Sequence, residues 1–86
     1  MSARAGLAVV EFGSRMDRTP VTSSSIASAG YSPEGSTLEL EYRNGSVYQY
    51  FAVPKSVFDS LLAAESKGTF VGERIRGRYP YRRVPR

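Results

Sequence analysis

The chain has 86 residues, a net charge of +4, and neither cysteine nor histidine. A chain of this length forms one small domain of modest stability. Without cysteine it has no disulfide or thiolate metal site, and without histidine it lacks the commonest general base and metal ligand. No glycine-rich phosphate loop is present either. We therefore expect no enzyme activity, no catalytic residues, no metal site and no cofactor.

The basic side chains are concentrated at the C-terminal end. Residues 67–86 contain seven of them against Glu73 alone, a net charge of +6, while residues 1–66 carry a net charge of −2. Such asymmetry is typical of proteins that bind RNA or another polyanion, although a solubilising tail without a partner fits as well. No segment approaches the ~20 apolar residues that span a bilayer. The apolar run "AGLAVVEF" is short and contains Glu11, so it would make a poor signal peptide. The expectation is a cytoplasmic monomer without membrane contact.

The first half of the chain indicates three strands. Residues 24–31 are expected to be extended, because Gly30 disfavours a helix interior, and "YSPEGS" then forms a turn. The alternation in "TLELEY" places Leu38, Leu40 and Tyr42 on one face of a half-buried antiparallel strand. The turn in "RNGS" leads into the next strand, "VYQYF".

Two helices are predicted after these strands. Pro54 suits a first helical turn, and Gly68 is expected to end the helix of "PKSVFDSLLAAES". Thr69 then caps a second, short helix that runs to about Arg76. The last segment, "GRYPYRRVPR", holds two prolines and a glycine, which predicts irregular structure. The apolar stripe of the first helix consists of Val57, Phe58, Leu61 and Leu62.

The predicted fold is α+β: a three-stranded antiparallel meander followed by two helices packed on one face, in the order β-β-β-α-α. Only the helices can cover the sheet, so its other face is expected to be open to water or to a partner. Residues 1–18 are expected to be a flexible extension, unless "LAVVEF" adds an edge strand. Residues 19–81 are the predicted domain and residues 82–86 a basic tail.

Several motifs between residues 19 and 81 occur together in a known family. They are Ser23 to Ile26, Gly30-Tyr31, Leu38-Leu40-Tyr42, Asn44-Gly45, Tyr48-Gln49-Tyr50, Val53-Pro54, Ser66-Lys67-Gly68 and Ile75-Arg76. The combination resembles a KTSC domain, named after the C-terminus of some lysyl-tRNA synthetases, with the Tyr-x-Tyr pair as its hallmark. The resemblance implies a stand-alone bacterial or phage form of a domain of unknown function, for which the synthetase fusions suggest RNA binding. It carries over no catalytic residues.

The face on which Tyr48 and Tyr50 lie depends on the turn at Gly45, because a one-residue slip moves a strand's side chains to the opposite face. A two-residue loop pairs Leu40 with Gln49 and places the tyrosines beside glutamates. A three-residue loop with a left-handed Gly45 pairs Leu40 with Tyr48 instead. The first alternative buries the Gln49 amide at a cost of about 1–3 kcal/mol. We therefore expect the three-residue loop, with the tyrosines mainly in the core.

Three functional hypotheses follow from these patterns. The first is a nucleic-acid-binding module, in which arginines contact phosphates and tyrosines stack on bases. Its predicted site comprises Lys67, Arg74, Arg76, Arg78, Tyr79, Tyr81, Arg82 and Arg83. The second is a module that binds a protein partner through the open sheet face, with Val47 and Phe51. The third is an enzyme built on Ser23, Ser24 and Ser25, which is disfavoured because such serines more often bond to backbone.

Overall fold

The computed structural model describes residues 17–85, which form a five-stranded antiparallel sheet and two helices. In chain order the elements are Thr19–Pro20 (β1), Ile26–Ser32 (β2), Thr37–Tyr42 (β3), Val47–Tyr50 (β4), Lys55–Ala63 (α1), Lys67–Arg74 (α2) and Tyr81–Arg83 (β5). The strands lie side by side in the order β1-β2-β3-β4-β5. The α+β class is confirmed, whereas the predicted number of three strands is wrong, because one strand is added at each edge.

The two added strands are short and contain or adjoin proline. β1 is only two residues long and includes Pro20, which lies opposite Ser28. β5 continues its pairing with β4 beyond both of its ends, through 2.8 Å bonds from the Phe51 N–H to the Pro80 carbonyl and from the Val84 N–H to the Val47 carbonyl. Proline is tolerated here because the outer side of an edge strand needs no N–H donor. The prediction of irregular structure is therefore wrong for residues 81–83.

The predicted boundaries at the two ends of the chain can be compared with the structure at only a few residues. Of the expected flexible extension, residues 1–18, only Asp17 and Arg18 belong to the described part, and the alternative edge strand "LAVVEF" lies outside it. At the other end, Arg82 and Arg83 of the expected tail belong to β5. Val84, which follows them, is 3% exposed. Within residues 17–85, no helix has the length and apolar character that crossing a membrane requires.

Both helices begin and end at different residues from those predicted. α1 stops at Ala63, well before Gly68, and α2 begins at Lys67. Ser66, rather than Thr69, caps α2, because its hydroxyl accepts a bond from the Thr69 N–H. Gly68 lies inside α2, where an added Cβ would stand 2.8 Å from the Ser25 hydroxyl oxygen. Its small size serves the close approach of α2 to the chain before β2, not a helix end.

The hairpin between β3 and β4 has the predicted three-residue loop. Leu40 pairs with Tyr48 and Leu38 pairs with Tyr50, so the tyrosines share the leucine face. Gly45 has a φ of 93°, in the left-handed region that favours glycine. The side chain of Asn44 supports the turn by accepting a 2.9 Å hydrogen bond from the Ser46 N–H. The register predicted from the cost of burying Gln49 is confirmed.

The core lies between the helices and the leucine face of the sheet, which we call the inner face. Leu38 and Leu40 are fully buried there, and Leu61 of α1 and Val71 of α2 pack against them. Tyr31 links sheet and helix, since its ring stacks on Phe58 at 5.5 Å and its hydroxyl donates to the Val53 carbonyl. The predicted packing of both helices on one face of the sheet is confirmed, although Leu62 of the apolar stripe is 37% exposed.

The opposite, outer face of the sheet is less open than expected. An added Cβ at Gly30 would stand 2.3 Å from the Asp17 carbonyl oxygen, so the chain before β1 crosses the sheet directly over this glycine. Glu39 is fully buried and forms an ion pair with Arg18, and the Gln49 amide donates to the same carboxylate at 2.9 Å. The expectation of an open face is wrong around Glu39, because polar side chains and the Asp17–Arg18 backbone cover it.

Candidate functional site

Four tyrosines from three neighbouring strands meet on the inner face. Tyr42 comes from β3, Tyr48 and Tyr50 from β4, and Tyr81 from β5, and the strand register places all four on one side. Their ring centroids lie close together, at 5.5 Å for Tyr42 and Tyr48, 5.7 Å for Tyr48 and Tyr81, and 5.8 Å for Tyr50 and Tyr81. Tyr81 is 60% exposed and Tyr50 only 3%. The cluster therefore has a buried base and an exposed outer ring.

These rings form one wall of a cleft of about 820 Å³. The size falls in the range of about 300–1,000 Å³ that is usual for small-ligand sites. The lining residues are Ser25, Tyr42, Arg43, Asn44, Ser46, Tyr48, Tyr50, Arg76, Gly77 and Tyr81. They include two arginines and no acidic residue. The cleft therefore suits a ligand that carries negative charge and a flat aromatic surface.

The two arginines reach the cleft from opposite elements. Arg43 lies in the β3–β4 loop, where its Nε donates to the Ser23 carbonyl at 3.1 Å. Arg76 follows α2, between the fully buried Ile75 and Gly77, which has a φ of 77°. Ile75 anchors this turn in the core, and the left-handed glycine redirects the chain immediately after Arg76. Arg76 forms no ion pair with any residue of the described part, so its charge is available to a ligand.

The hydroxyls of Tyr42 and Tyr50 are hydrogen-bonded to each other, with 2.8 Å between their oxygens. Burial raises the pKa of Tyr42 above its ordinary value near 10, against a smaller opposing effect of the bond to Tyr50 and of the Arg76 charge. Burial and the bond to Tyr42 raise the pKa of Tyr50 further. Both rings therefore stay neutral at ordinary pH and add no negative charge to the cleft.

The structure brings together only some of the predicted site residues. Arg76 and Tyr81 line the cleft, and Arg83 lies beside it on the inner face, where it donates to the Ser46 hydroxyl at 3.2 Å. Arg82 pairs with Gln49 and so points to the outer face. Lys67 donates to the Ala64 carbonyl at the start of α2. The remaining predicted residues are Arg74, which lies over the Phe70 ring, Arg78, which is exposed in the loop after α2, and Tyr79, which packs half-buried against the core.

Several cleft residues were not among the predicted site residues. The sequence predicts Tyr42, Tyr48 and Tyr50 as core residues and Arg43 as part of a turn. The register did place the tyrosines correctly on the inner face, and Tyr50 is buried. Tyr42 and Tyr48, however, keep part of their surface exposed beside the cleft. A signal was present in the sequence, because Arg43 precedes a left-handed Gly45 and follows the inner-facing Tyr42 at the same end of the hairpin.

The serine cluster lies at a second, smaller cavity of about 390 Å³. It is lined by Ser23, Ser24, Ser25, Glu65, Ser66, Lys67, Gly68 and Thr69. The Ser23 hydroxyl accepts 3.1 Å bonds from the backbone N–H groups of Ser25 and Ile26, which is the backbone role expected of such serines. No group of residues in the described part could hold a metal ion through three or more histidine, cysteine or acidic side chains.

Comparison with known proteins identifies the family. The sequence profile of the KTSC domain matches residues 22–79. A solved structure, that of a KTSC domain protein from Yersinia pestis, superposes with a TM-score of 0.79 at 38% identity, covering 81% of this chain and 99% of that one. A protein of Tsukamurella paurometabola is 48% identical over 60 residues, which are 70% of this chain and 90% of the relative.

A second kind of relative is much longer than this chain. A lysine–tRNA ligase of a Nostoc species is 41% identical over 54 residues, which are 63% of this chain but only 10% of the ligase. The matched region thus forms a small part of that enzyme and nearly the whole of the small relatives. Because the family profile covers most of the residues 17–85 and a solved member shares the fold, this chain belongs to the KTSC domain family.

Proposed function

We propose that the protein is a non-catalytic module that binds single-stranded RNA through the tyrosine–arginine cleft. The observation that carries the proposal is the composition of the cleft, in which four tyrosines, two arginines and no acidic residue line one site. Aromatic rings stack on unpaired bases and arginines contact phosphates, the two interactions that single-stranded nucleic acids use most.

The charge distribution around the cleft supports this proposal. Arg83 lies on the same face as the tyrosines and donates to the hydroxyl of Ser46, a residue of the cleft lining, so it adds a further positive charge beside the site. Glu39 and Glu41, the acidic residues of β3, point to the outer face, away from the cleft. Glu39 is there bonded to Arg18, and Glu41 accepts a bond from Ser28. A phosphate approaching the cleft therefore meets arginines, and no acidic residue lines the site.

The relatives add an argument from context. Lysine–tRNA ligases are named for an RNA substrate, and three of them carry a segment 38–41% identical to this chain. A small domain attached to such an enzyme is well placed to contact RNA. The outer sheet face, the alternative surface for a protein partner, offers a weaker site, because Glu39 is buried in its own network and Asp17 and Arg18 cross it.

The proposal is tested by titrating short single-stranded RNA and DNA into the protein at about 50 mM salt, where the electrostatic contribution is large. RNA is expected to bind, and the affinity should fall steeply as salt is raised. Arg76→Ala should weaken binding and reduce the salt slope by about one unit. Arg82→Ala is the matched control, because it removes the same charge from the opposite face.

Two results would contradict the proposal. One is the absence of RNA binding at low salt, where a basic site should be most effective. The other is an equal loss of affinity in Arg76→Ala and Arg82→Ala, because that would show that net charge alone, rather than the cleft, attracts the strand. Duplex RNA serves as a further comparison, since its bases are stacked internally and cannot reach the tyrosine rings.

A further inference from the structure

We infer that the cleft recognises a single nucleotide unit, with one base on the tyrosine wall and its phosphate at the arginine rim. This inference rests on the proposed function and specifies what the site binds. It differs from a groove that stacks a run of bases, and it predicts that a nucleoside monophosphate alone occupies the cleft.

The rings are too close together to admit a base between them. A base sandwiched by two parallel rings needs a centroid separation of about 7 Å, twice the stacking distance. The observed separations run from 5.5 Å for Tyr42 and Tyr48 to 6.4 Å for Tyr48 and Tyr50, the latter with an angle of 24°. A base therefore lies against the outside of the cluster, where Tyr81 is 60% exposed and Tyr48 half-buried.

Tyr81 is the one aromatic residue of the described part that is exposed rather than half-buried or buried. Tyr50 is buried, and Tyr79 packs half-buried against the core. The ring of Tyr31 already stacks on Phe58 within the protein. A strand bound by successive stacking would need separate exposed rings along its path. Tyr81, a single exposed ring packed against a buried cluster, can stack with one base only.

The rim of the cleft supplies the phosphate site. Arg43 and Arg76 both line it, and neither is neutralised by an acidic residue of the described part. The same charges exclude a cationic ligand. A methylated lysine would suit a cage of aromatic rings, but two guanidinium groups beside the rings repel it. An anionic group joined to a flat ring satisfies both halves of the site.

The Tyr42–Tyr50 hydroxyl pair adds a fixed polar contact. When one hydroxyl donates to the other, across 2.8 Å, one O–H remains for a ligand, because each hydroxyl carries a single hydrogen. Both tyrosines line the cleft. A carbonyl or ring nitrogen of a base, or an oxygen of the sugar or phosphate, is the complementary acceptor. The pair thus gives the cleft a hydrogen-bond donor in addition to its rings and arginines.

The inference is tested by recording amide chemical shifts of the full chain with added nucleoside 5′-monophosphates, the matching nucleosides and inorganic phosphate. The monophosphates are expected to shift amides around Asn44, Ser46 and Gly77. The nucleosides should bind on the order of tenfold more weakly or worse, because the charge-assisted phosphate bonds are lost. A single-stranded RNA is titrated in parallel to separate a free nucleotide from a nucleotide within a strand.

The variants are Tyr81→Ala and Arg82→Ala, which change neighbouring exposed residues of β5 that point to opposite faces. Tyr81→Ala should lower the affinity for the monophosphate on the order of five- to a hundredfold, the usual effect of removing a stacking ring. Arg82→Ala should leave the cleft shifts in place. Unchanged spectra of the free variants would confirm that both fold.

The outcomes separate this inference from the proposed function. RNA binding without monophosphate shifts in the cleft overturns the single-nucleotide site and leaves RNA binding standing. Monophosphate shifts in the cleft without RNA binding support the site and overturn the RNA module. No binding of either ligand overturns both. Equal losses in Tyr81→Ala and Arg82→Ala also overturn the inference, since they would place the ligand elsewhere.

Discussion

The two faces of the sheet differ in whether their charged side chains are paired within the protein. On the outer face, the buried Glu39 carboxylate is held by Arg18 and Gln49, and Glu41 by Ser28. On the inner face, the arginines at the cleft stand beside neutral tyrosines, and Arg76 has no acidic partner in the described part. Charge that is neutralised within the protein contributes to folding, whereas charge without a counter-ion is available to a ligand. This difference is the reason for proposing the inner face as the binding surface.

The contrast arises from the period-two alternation of three strands. In β3, leucines and Tyr42 face inward while Glu39 and Glu41 face outward. In β5, Tyr81 faces inward and Arg82 outward. A one-residue slip of the β3–β4 hairpin would place Tyr48 and Tyr50 on the same face as Glu39 and Glu41. Register is thus the structural property that keeps the cleft free of negative charge.

The largest effect is expected from the leucine layer that supports the tyrosine wall. Leu40 is fully buried, so Leu40→Ala should lower the free energy of unfolding by about 2–5 kcal/mol, through lost burial and the cavity left behind. Leu62→Ala is the control, because this residue is 37% exposed on α1 and should cost far less. Urea unfolding of both variants measures the difference. Equal losses would contradict the assignment of the inner face as the core.

A smaller effect is expected from the outer-face ion pair. Glu39→Gln keeps the side-chain shape but removes the charge that binds Arg18, and should cost about 1–3 kcal/mol. Lys55→Ala removes a solvent-exposed pair with Asp59 on α1 and should cost a few tenths of a kcal/mol. Thermal unfolding at low and high salt compares the two. If Glu39→Gln proved neutral, the outer-face network would not contribute to folding.

A smaller effect again is expected from the turn that sets the register. Gly45 has a φ of 93°, so Gly45→Ala should cost about 1 kcal/mol through backbone strain. Gly45→Asn should cost less, because asparagine tolerates the left-handed region better than alanine. Urea unfolding of the two variants, with amide spectra to follow the register of β4, provides the measurement. An alanine variant as stable as the parent would show that the turn does not select the register.

Much of the fold could be predicted because its main determinants are local. The alternation of Leu38 and Leu40 and the cost of burying Gln49 were sufficient to fix both the β3 strand and the register of the hairpin. The stripe of α1 was correct for Leu61 because burial follows helical spacing. β1 and β5 were missed because they are only two and three residues long, and their strand character comes from pairing with β2 and β4 rather than from their own sequence.

The cleft was only partly predictable for a related physical reason. Arg76 and Tyr81 could be selected from composition, since basic and aromatic residues alternate near the C-terminus. The participation of Arg43 and Tyr48 depends on how β5 and the turn after α2 fold back beside the hairpin. Such long-range placement follows from tertiary packing and leaves no short-range pattern. Conversely, Arg82 was indistinguishable from Arg83 in the sequence, although strand alternation sends the two to opposite faces.

The smallest effect near neutral pH is expected from the tyrosine hydroxyl pair. Burial raises the pKa of Tyr50, and to a lesser extent that of Tyr42, above the value near 10 that each has in the unfolded chain. The unfolded state therefore releases these protons first. The contribution of this pair to the free energy of unfolding is thus constant below about pH 10 and falls as pH rises above it. Tyrosinate absorbance followed together with unfolding should show the two hydroxyls ionising only as the structure is lost.

The matched variant for this titration is Tyr42→Phe. It removes the hydroxyl partner of Tyr50 and one of the two ionising groups, so the alkaline loss of stability should become shallower. At neutral pH the variant should be within about 1 kcal/mol of the parent, the net value of one hydrogen bond. If all six tyrosines of the parent ionised near pH 10 while the fold persisted, the hydroxyl pair would be solvent-accessible. The cleft would then carry negative charge at high pH and repel a phosphate, which links this last measurement to the binding site itself.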